Sequence, residues 1–187
     1  TLSGTNQGEP FTDIVDNGDG TYTVKYTPKV VGVDTIEISL NGSAISGSPF
    51  TSVVGPATVD ASNSVANVPG GLAGTPTTIT VTLKDAYNNP VSGRGNNLAL
   101  SIESGPNTGA EFSSITDNGN GTYTVTYTPV NSGSDQITIK YSGTAISGSP
   151  YTSVVTASGI SANTSTVVAQ PTSLGVGQNS TVTITLR

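Results

Sequence analysis

The sequence predicts an all-β protein, an elongated array of antiparallel β-sandwiches recurring about every 101 residues. Three observations carry this expectation. The first is composition: 30 Thr, 24 Ser, 23 Gly and 11 Pro in 187 residues favour short strands and many turns over helices. The second is alternation. Thr78-Ile-Thr-Val-Thr-Leu83 puts apolar side chains on one face and hydroxyls on the other, the period-2 pattern of a half-buried strand. The third is repetition. Asp16-Asn-Gly-Asp-Gly-Thr-Tyr-Thr-Val-Lys-Tyr-Thr-Pro28 recurs as Asp117-Asn-Gly-Asn-Gly-Thr-Tyr-Thr-Val-Thr-Tyr-Thr-Pro129, and residues 43–54 recur as 144–155, both at an offset of 101. Without gaps, residues 1–54 and 102–155 agree at 32 of 54 positions. Ile79-Thr-Val-Thr-Leu-Lys84 returns as Val182-Thr-Ile-Thr-Leu-Arg187 at an offset of 103.

This period divides the chain into the C-terminal part of one unit (1–54), a complete unit (55–155) and the N-terminal part of a third (156–187). About 100 residues is the size of an immunoglobulin-like sandwich. Within the complete unit the first strand is expected over Val59 to Val65. The second, 78–83, turns Ile79, Val81 and Leu83 inward. Leu98, Leu100 and Ile102 mark the third, and Ala110 to Thr116 a short fourth. Tyr123, Val125 and Tyr127 mark the fifth, and Ile137, Ile139 and Tyr141 the sixth. The last runs from Thr144 to Val155, interrupted at Gly148-Ser-Pro150. Seven strands apolar on one side pack as two antiparallel sheets. Each buried Ile, Leu or Val contributes about 1.5–3 kcal/mol, enough for a core without a disulfide.

The run Asp16-Asn-Gly-Asp-Gly-Thr-Tyr-Thr-Val24, then Tyr26-Thr-Pro28 and Ile45-Ser-Gly-Ser-Pro-Phe50, resembles the filamin-type immunoglobulin repeat. Residues 78–93 also resemble the bacterial immunoglobulin-like repeats of invasin and intimin type, which usually carry Gly-Asn-Pro where this chain has Asn88-Asn-Pro90. The resemblance covers essentially the whole chain, through turn and core residues. It implies the sandwich fold. For filamin repeats it implies spacers and strand-addition docking sites; for invasin-type repeats, rigid stalks carrying an adhesive tip. No tip domain is recognised.

Composition narrows function further. Cys, His, Met and Trp are absent, which removes thiolate and imidazole chemistry and their metal sites. A net charge of −6 argues against nucleic acid and anionic lipid as partners. No apolar run nears the roughly 18 residues of a membrane span. The expectation is therefore no enzyme, no catalytic or metal-binding residue, no cofactor and no membrane insertion, with ligand-binding residues unassigned.

Several residues invite a sharper reading. Asp16, Asn17 and Asp19, with Asp117, Asn118 and Asn120, suggest a calcium loop, but the twelfth position holds Thr27 or Thr128, not a bidentate Glu. Tight turns are expected there. Lys25, Lys84 and Lys140 align with Thr126, Arg187 and Ser39, so an isopeptide staple would not recur between copies. Asn41, Asn120, Asn163 and Asn179 open Asn-X-Ser/Thr sequons at a frequency chance explains. Glu103 and Glu111, imagined as a carboxylate pair on neighbouring strands, align with Leu2 and Pro10. Tyr22, Tyr26, Tyr123 and Tyr127 are expected to face the core rather than stack on sugars.

The leading functional expectation is a non-catalytic spacer in an extracellular stalk, adhesin shaft or surface filament. Its partners are neighbouring repeats, with a surface protein or glycan receptor beyond them. Short junctions at Val54-Gly-Pro-Ala57 and Val155-Thr-Ala-Ser158 limit bending. The alternative is a protein- or receptor-binding module that adds a partner strand beside Leu98 and Leu100; a carbohydrate-binding accessory module ranks third. Thr1 and Arg187 both align within strands, so the chain is expected to be a segment of a longer repetitive polypeptide.

Overall fold

Alternating apolar and β-branched residues, broken by glycine turns, offer no stretch for an amphipathic helix. The computed structural model describes residues 1–186, and among them only strands and one 3-10 turn, Gly95–Asn97, are regular. Arg187, the expected counterpart of Lys84, lies outside the described residues.

The 1–54 segment contains β1 (Leu2–Gly4), β2 (Thr12–Asp16), β3 (Tyr22–Lys25), β4 (Gly32–Ile36), β5 (Ser39–Leu40), β6 (Ser43–Ala44) and β7 (Phe50–Val54). One sheet runs β1-β4-β7, while β2–β3 and β5–β6 form separate pairs. The next segment contains β8 (Val65–Asn67), β9 (Gly71–Leu72), β10 (Thr77–Thr82), β11 (Leu98–Ser104), β12 (Thr116–Asp117), β13 (Thr122–Tyr127), β14 (Gly133–Tyr141), β15 (Thr144–Ala145) and β16 (Tyr151–Thr156). These make a four-stranded sheet, β12-β13-β10-β8, and a five-stranded one, β11-β14-β16-β9, with β15 against β14. A hairpin of β17 (Thr166–Gln170) and β18 (Thr181–Thr185) follows. It repeats the β8–β10 pairing: Thr166 faces Thr185 as Val65 faces Thr82.

The core between the four- and five-stranded sheets is where the alternation places it. Ile79 lies opposite Val125 and Val81 opposite Tyr123 in one sheet. Leu100 lies opposite Ile139 and Ile102 opposite Ile137 in the other. Ile79, Leu83, Tyr123, Ile137 and Ile139 are fully buried, with Val81, Val125, Tyr127 and Ile146 nearly so.

Three expectations are corrected, and one short strand was not foreseen. Val59 to Val65 is not one strand: Val59 makes only an isolated bridge to Asp85, and the strand starts at Val65. Asp60 turns the chain between them, its carboxylate taking the Ser62 amide at 2.8 Å and its carbonyl the Ser64 amide at 3.1 Å. Residues 110–116 give only a bridge from Phe112 to Tyr127 before β12. The parallel strand β9, paired with β16 at Val155 and Gly71, carries no alternation that would reveal it. Tyr22 is 70% exposed and Tyr26 half-buried, unlike Tyr123 and Tyr127. The cause is coverage: β10 lies along β13 and shields Tyr123, whereas β3 pairs with β2 alone.

Candidate functional site

The acidic turns satisfy themselves. Asp16 Oδ1 accepts the Gly18 amide at 2.9 Å, and Asp19 Oδ1 accepts the Thr21 amide at 3.0 Å and its hydroxyl at 2.6 Å. Asp117 takes the Gly119 amide at 2.8 Å and also the Gly93 amide, while Asn120 takes the Thr122 amide at 3.1 Å. The side-chain and backbone donors of Thr21 hold Asp19 below the ordinary carboxylate range, and the Gly119 and Gly93 amides do the same for Asp117. Among the described residues, no group of three or more acidic side chains is placed to hold a metal ion.

The other singled-out residues do not converge. Glu103 and Glu111 are exposed and do not lie on neighbouring strands: Glu103 is on β11, and Glu111 is outside any strand, next to Phe112, which bridges to β13 of the other sheet. Lys25 meets Asp13 at 3.4 Å on the surface. Asn41 sits in the β5–β6 turn with φ 51°, and Asn163 donates its amide to the Ser161 hydroxyl at 3.2 Å. Asn179 is exposed. An apolar concavity of about 420 Å³ opens between Phe11, Ile14, Tyr22, Val24 and Ile36. It is the uncovered inner face of β2–β3, whose counterparts Tyr123 and Val125 are buried between the four- and five-stranded sheets.

The specific chemistry lies instead in a buried polar framework. Asn107 donates its side-chain amide to Asp135 Oδ2 and to the Asn131 carbonyl, both at 2.8 Å. Its Oδ1 accepts the Val130 and Asn131 amides at 2.7 and 2.8 Å. Asn6 repeats the arrangement, donating to Asp34 Oδ2 and the Val30 carbonyl at 2.8 Å and accepting the Lys29 and Val30 amides at 2.8 Å. Burial pushes the Asp34 carboxyl up, but donors from Asn6, Thr5 and Tyr26 outweigh it and hold it below its usual value. At the other end, Asp85 is 1% exposed. It accepts the amides of Tyr87 and Asn89 at 2.9 Å and, through Oδ2, the linker amide of Ala57 at 3.0 Å. Burial again opposes ionisation, and the Asn89, Ala57 and Tyr87 donors prevail, lowering its pKa.

A second network joins the sheets. Ser153 on β16 donates its hydroxyl to the Pro69 carbonyl at 2.9 Å, so Tyr127 on β13 must be the donor in its 2.8 Å bond with Ser153. Tyr26 and Ser52 repeat that bond at 2.7 Å. Sequence reasoning passed over Asn6, Asn107, Asp34, Asp135 and Asp85. For the first four a signal existed: buriable polar residues identical between copies at the offset of 101.

Known proteins resemble this chain in sequence and in fold. The Filamin/ABP280 repeat model matches residues 3–51 and 58–152. The chain is 38% identical to Filamin-C of Rattus norvegicus over 154 residues, covering 80% of this chain and 5% of that protein. It is 31% identical to Filamin-A of Drosophila melanogaster over 149 residues, 78% of this chain and 6% of that one. The chain thus spans about one twentieth of these relatives' length. Among solved structures, the Escherichia coli adhesin FdeC superimposes with a TM-score of 0.72 at 27% identity, over 100% of this chain and 60% of that one. InvD of Yersinia pseudotuberculosis gives a TM-score of 0.59 at 23% identity, over 92% of this chain and 52% of that one, a likeness of fold alone.

Proposed function

The chain belongs to the filamin repeat family, and from that premise we propose that it is a non-catalytic spacer in the stalk, shaft or filament of an extracellular surface protein. In this reading residues 55–155 are a whole unit flanked by parts of two others, and neighbouring repeats are its standing partners. One observation supports the proposal: the connection between successive units is short and is bonded to a buried carboxylate. β7 ends at Val54, and the Ala57 amide is already bonded to buried Asp85, leaving Gly55 and Pro56 between them. Pro fixes its own φ and restricts the residue before it. The likeness to FdeC, described as an adhesin, supports the extracellular setting. Small-angle scattering of the whole chain tests the reading. An extended profile with a rod-like cross-section is expected; a compact or freely jointed profile would overturn it.

The binding reading has one observation in its favour, since β11 is an edge strand paired only with β14. Its outward residues weaken it. Ala99, Ser101 and Glu103 are exposed, while Leu98 and Ile102 are buried and Leu100 half-buried, so little apolar surface awaits an added strand. The carbohydrate reading lacks a platform, because exposed Tyr22, Phe50 and Tyr87 lie on separate elements.

A further inference from the structure

The loop after β3 is gripped from two sides. Its own unit holds the Lys29 and Val30 amides and the Val30 carbonyl, all through Asn6. The groups left between them are taken by the next unit. Asn89 donates its side-chain amide to the Lys29 carbonyl at 2.8 Å and accepts the Val31 amide on Oδ1 at 3.1 Å. Its remaining amide hydrogen goes to Asp85 Oδ2 at 2.9 Å. Each asparagine is thus backed by a buried aspartate, Asp34 behind Asn6 and Asp85 behind Asn89.

We propose that Asn89 is the coupling residue between repeats: with Asp85 it fixes the angle at which one sandwich stands on the loop 29–31 of its predecessor. This goes beyond the spacer reading and holds equally for an array that binds a receptor. The chemistry selects asparagine. The position faces two acceptors, the Lys29 carbonyl and the Asp85 carboxylate, and one donor, the Val31 amide, which a carboxamide alone matches in that space. Aspartate would set oxygen against oxygen twice. Asp85 also holds Ala57, so the linker and the loop contact meet at one buried carboxylate. The complete unit shapes its own loop in the same way, with Asn107 on the Val130 and Asn131 amides and the Asn131 carbonyl.

The test uses the full chain and two readouts. Amide hydrogen exchange followed by NMR reports on Val31 directly. In the unsubstituted protein its amide should exchange at least about tenfold more slowly than an open loop. Asn89→Asp and Asn89→Leu should remove that protection while the Asn6-held amides of Lys29 and Val30 keep theirs. Because the chain has no native Cys, nitroxides on Ser43→Cys and Thr144→Cys, both exposed positions, give an inter-unit distance distribution. That distribution should broaden in the Asn89 variants. Open-loop exchange of Val31 in the unsubstituted chain would overturn the proposal whether or not the variants fold. Variants that keep Val31 protection and distance width while the Val125 amide remains protected would overturn it too. An extended scattering profile with an unprotected Val31 would sink the coupling and leave the spacer standing.

Discussion

Single side chains in this protein divide by whether their polar atoms have somewhere to go. Tyr123 is fully buried, yet its hydroxyl donates to the Val91 carbonyl at 2.8 Å and accepts the Arg94 amide at 3.0 Å. Tyr123→Phe should cost about 1–3 kcal/mol, chiefly the penalty for orphaning the buried Val91 carbonyl, read as a lower midpoint in urea. Thr138 presents the opposite case. Its hydroxyl is buried with no hydrogen-bond partner among the described residues. Thr138→Val keeps the shape and removes an unsatisfied group, so it should be neutral or stabilising by up to about 1 kcal/mol in the same titration. Ile139→Ala, in the middle of the core, should cost about 2–5 kcal/mol through lost burial and the cavity left behind.

Turns and edges do the specifying among the elements. β11 ends in an irregularity between Ile102 and Ser104, and the following Gly105 has φ 124°. A side chain there would meet Asp135 Oδ1 at 2.5 Å and the Ser134 carbonyl at 2.6 Å. Gly4 repeats the geometry against Asp34 and Val33, with φ 106°. Gly105→Ala therefore strains the backbone and displaces the Asp135–Asn107 pair that shapes the 130–131 loop. A loss of about 2–4 kcal/mol is expected from the combined strain and broken buried bonds, with Val130 and Asn131 amide protection falling first. A merely local effect at residues 103–106 would contradict this.

Acid should loosen the array as a whole. The carboxyls of Asp34 and Asp85 bind protons more weakly in the folded chain than their ordinary value, as do those of Asp19, Asp60 and Asp117. As pH falls, the unfolded chain takes up protons first and the native state loses free energy. The stabilisation is complete above the unfolded carboxylate value of about 3.9 and is lost as pH falls through the lower folded values. Thermal midpoints should be nearly level from about pH 7 to 5 and drop below about pH 4. Asp85→Asn should lower the neutral midpoint and shrink the acid loss; an unchanged acid limb would show that Asp85 contributes nothing to it.

Fold class and the inward face of β10, β11, β13 and β14 were determined by the sequence alone, because a period-2 alternation and a repeated motif are local, countable signals. The self-closing turns at 16–21 and 117–122 were legible for the same reason. Other features depended on partners distant in the chain. Tyr22 and Tyr123 have nearly the same local sequence, and it is β10 beside β13 together with residues 91–94 against the Tyr123 hydroxyl that bury one and not the other. β9 is two residues long and owes its existence to β16, more than 80 residues away. The Asn89 contacts span about 60 residues and join two repeats, so no window on the sequence contains them. Polar side chains in particular resist sequence reading. An asparagine is equally at home in a turn, in water or bonded across an interface, and only the tertiary structure supplies the donors and acceptors that decide between them.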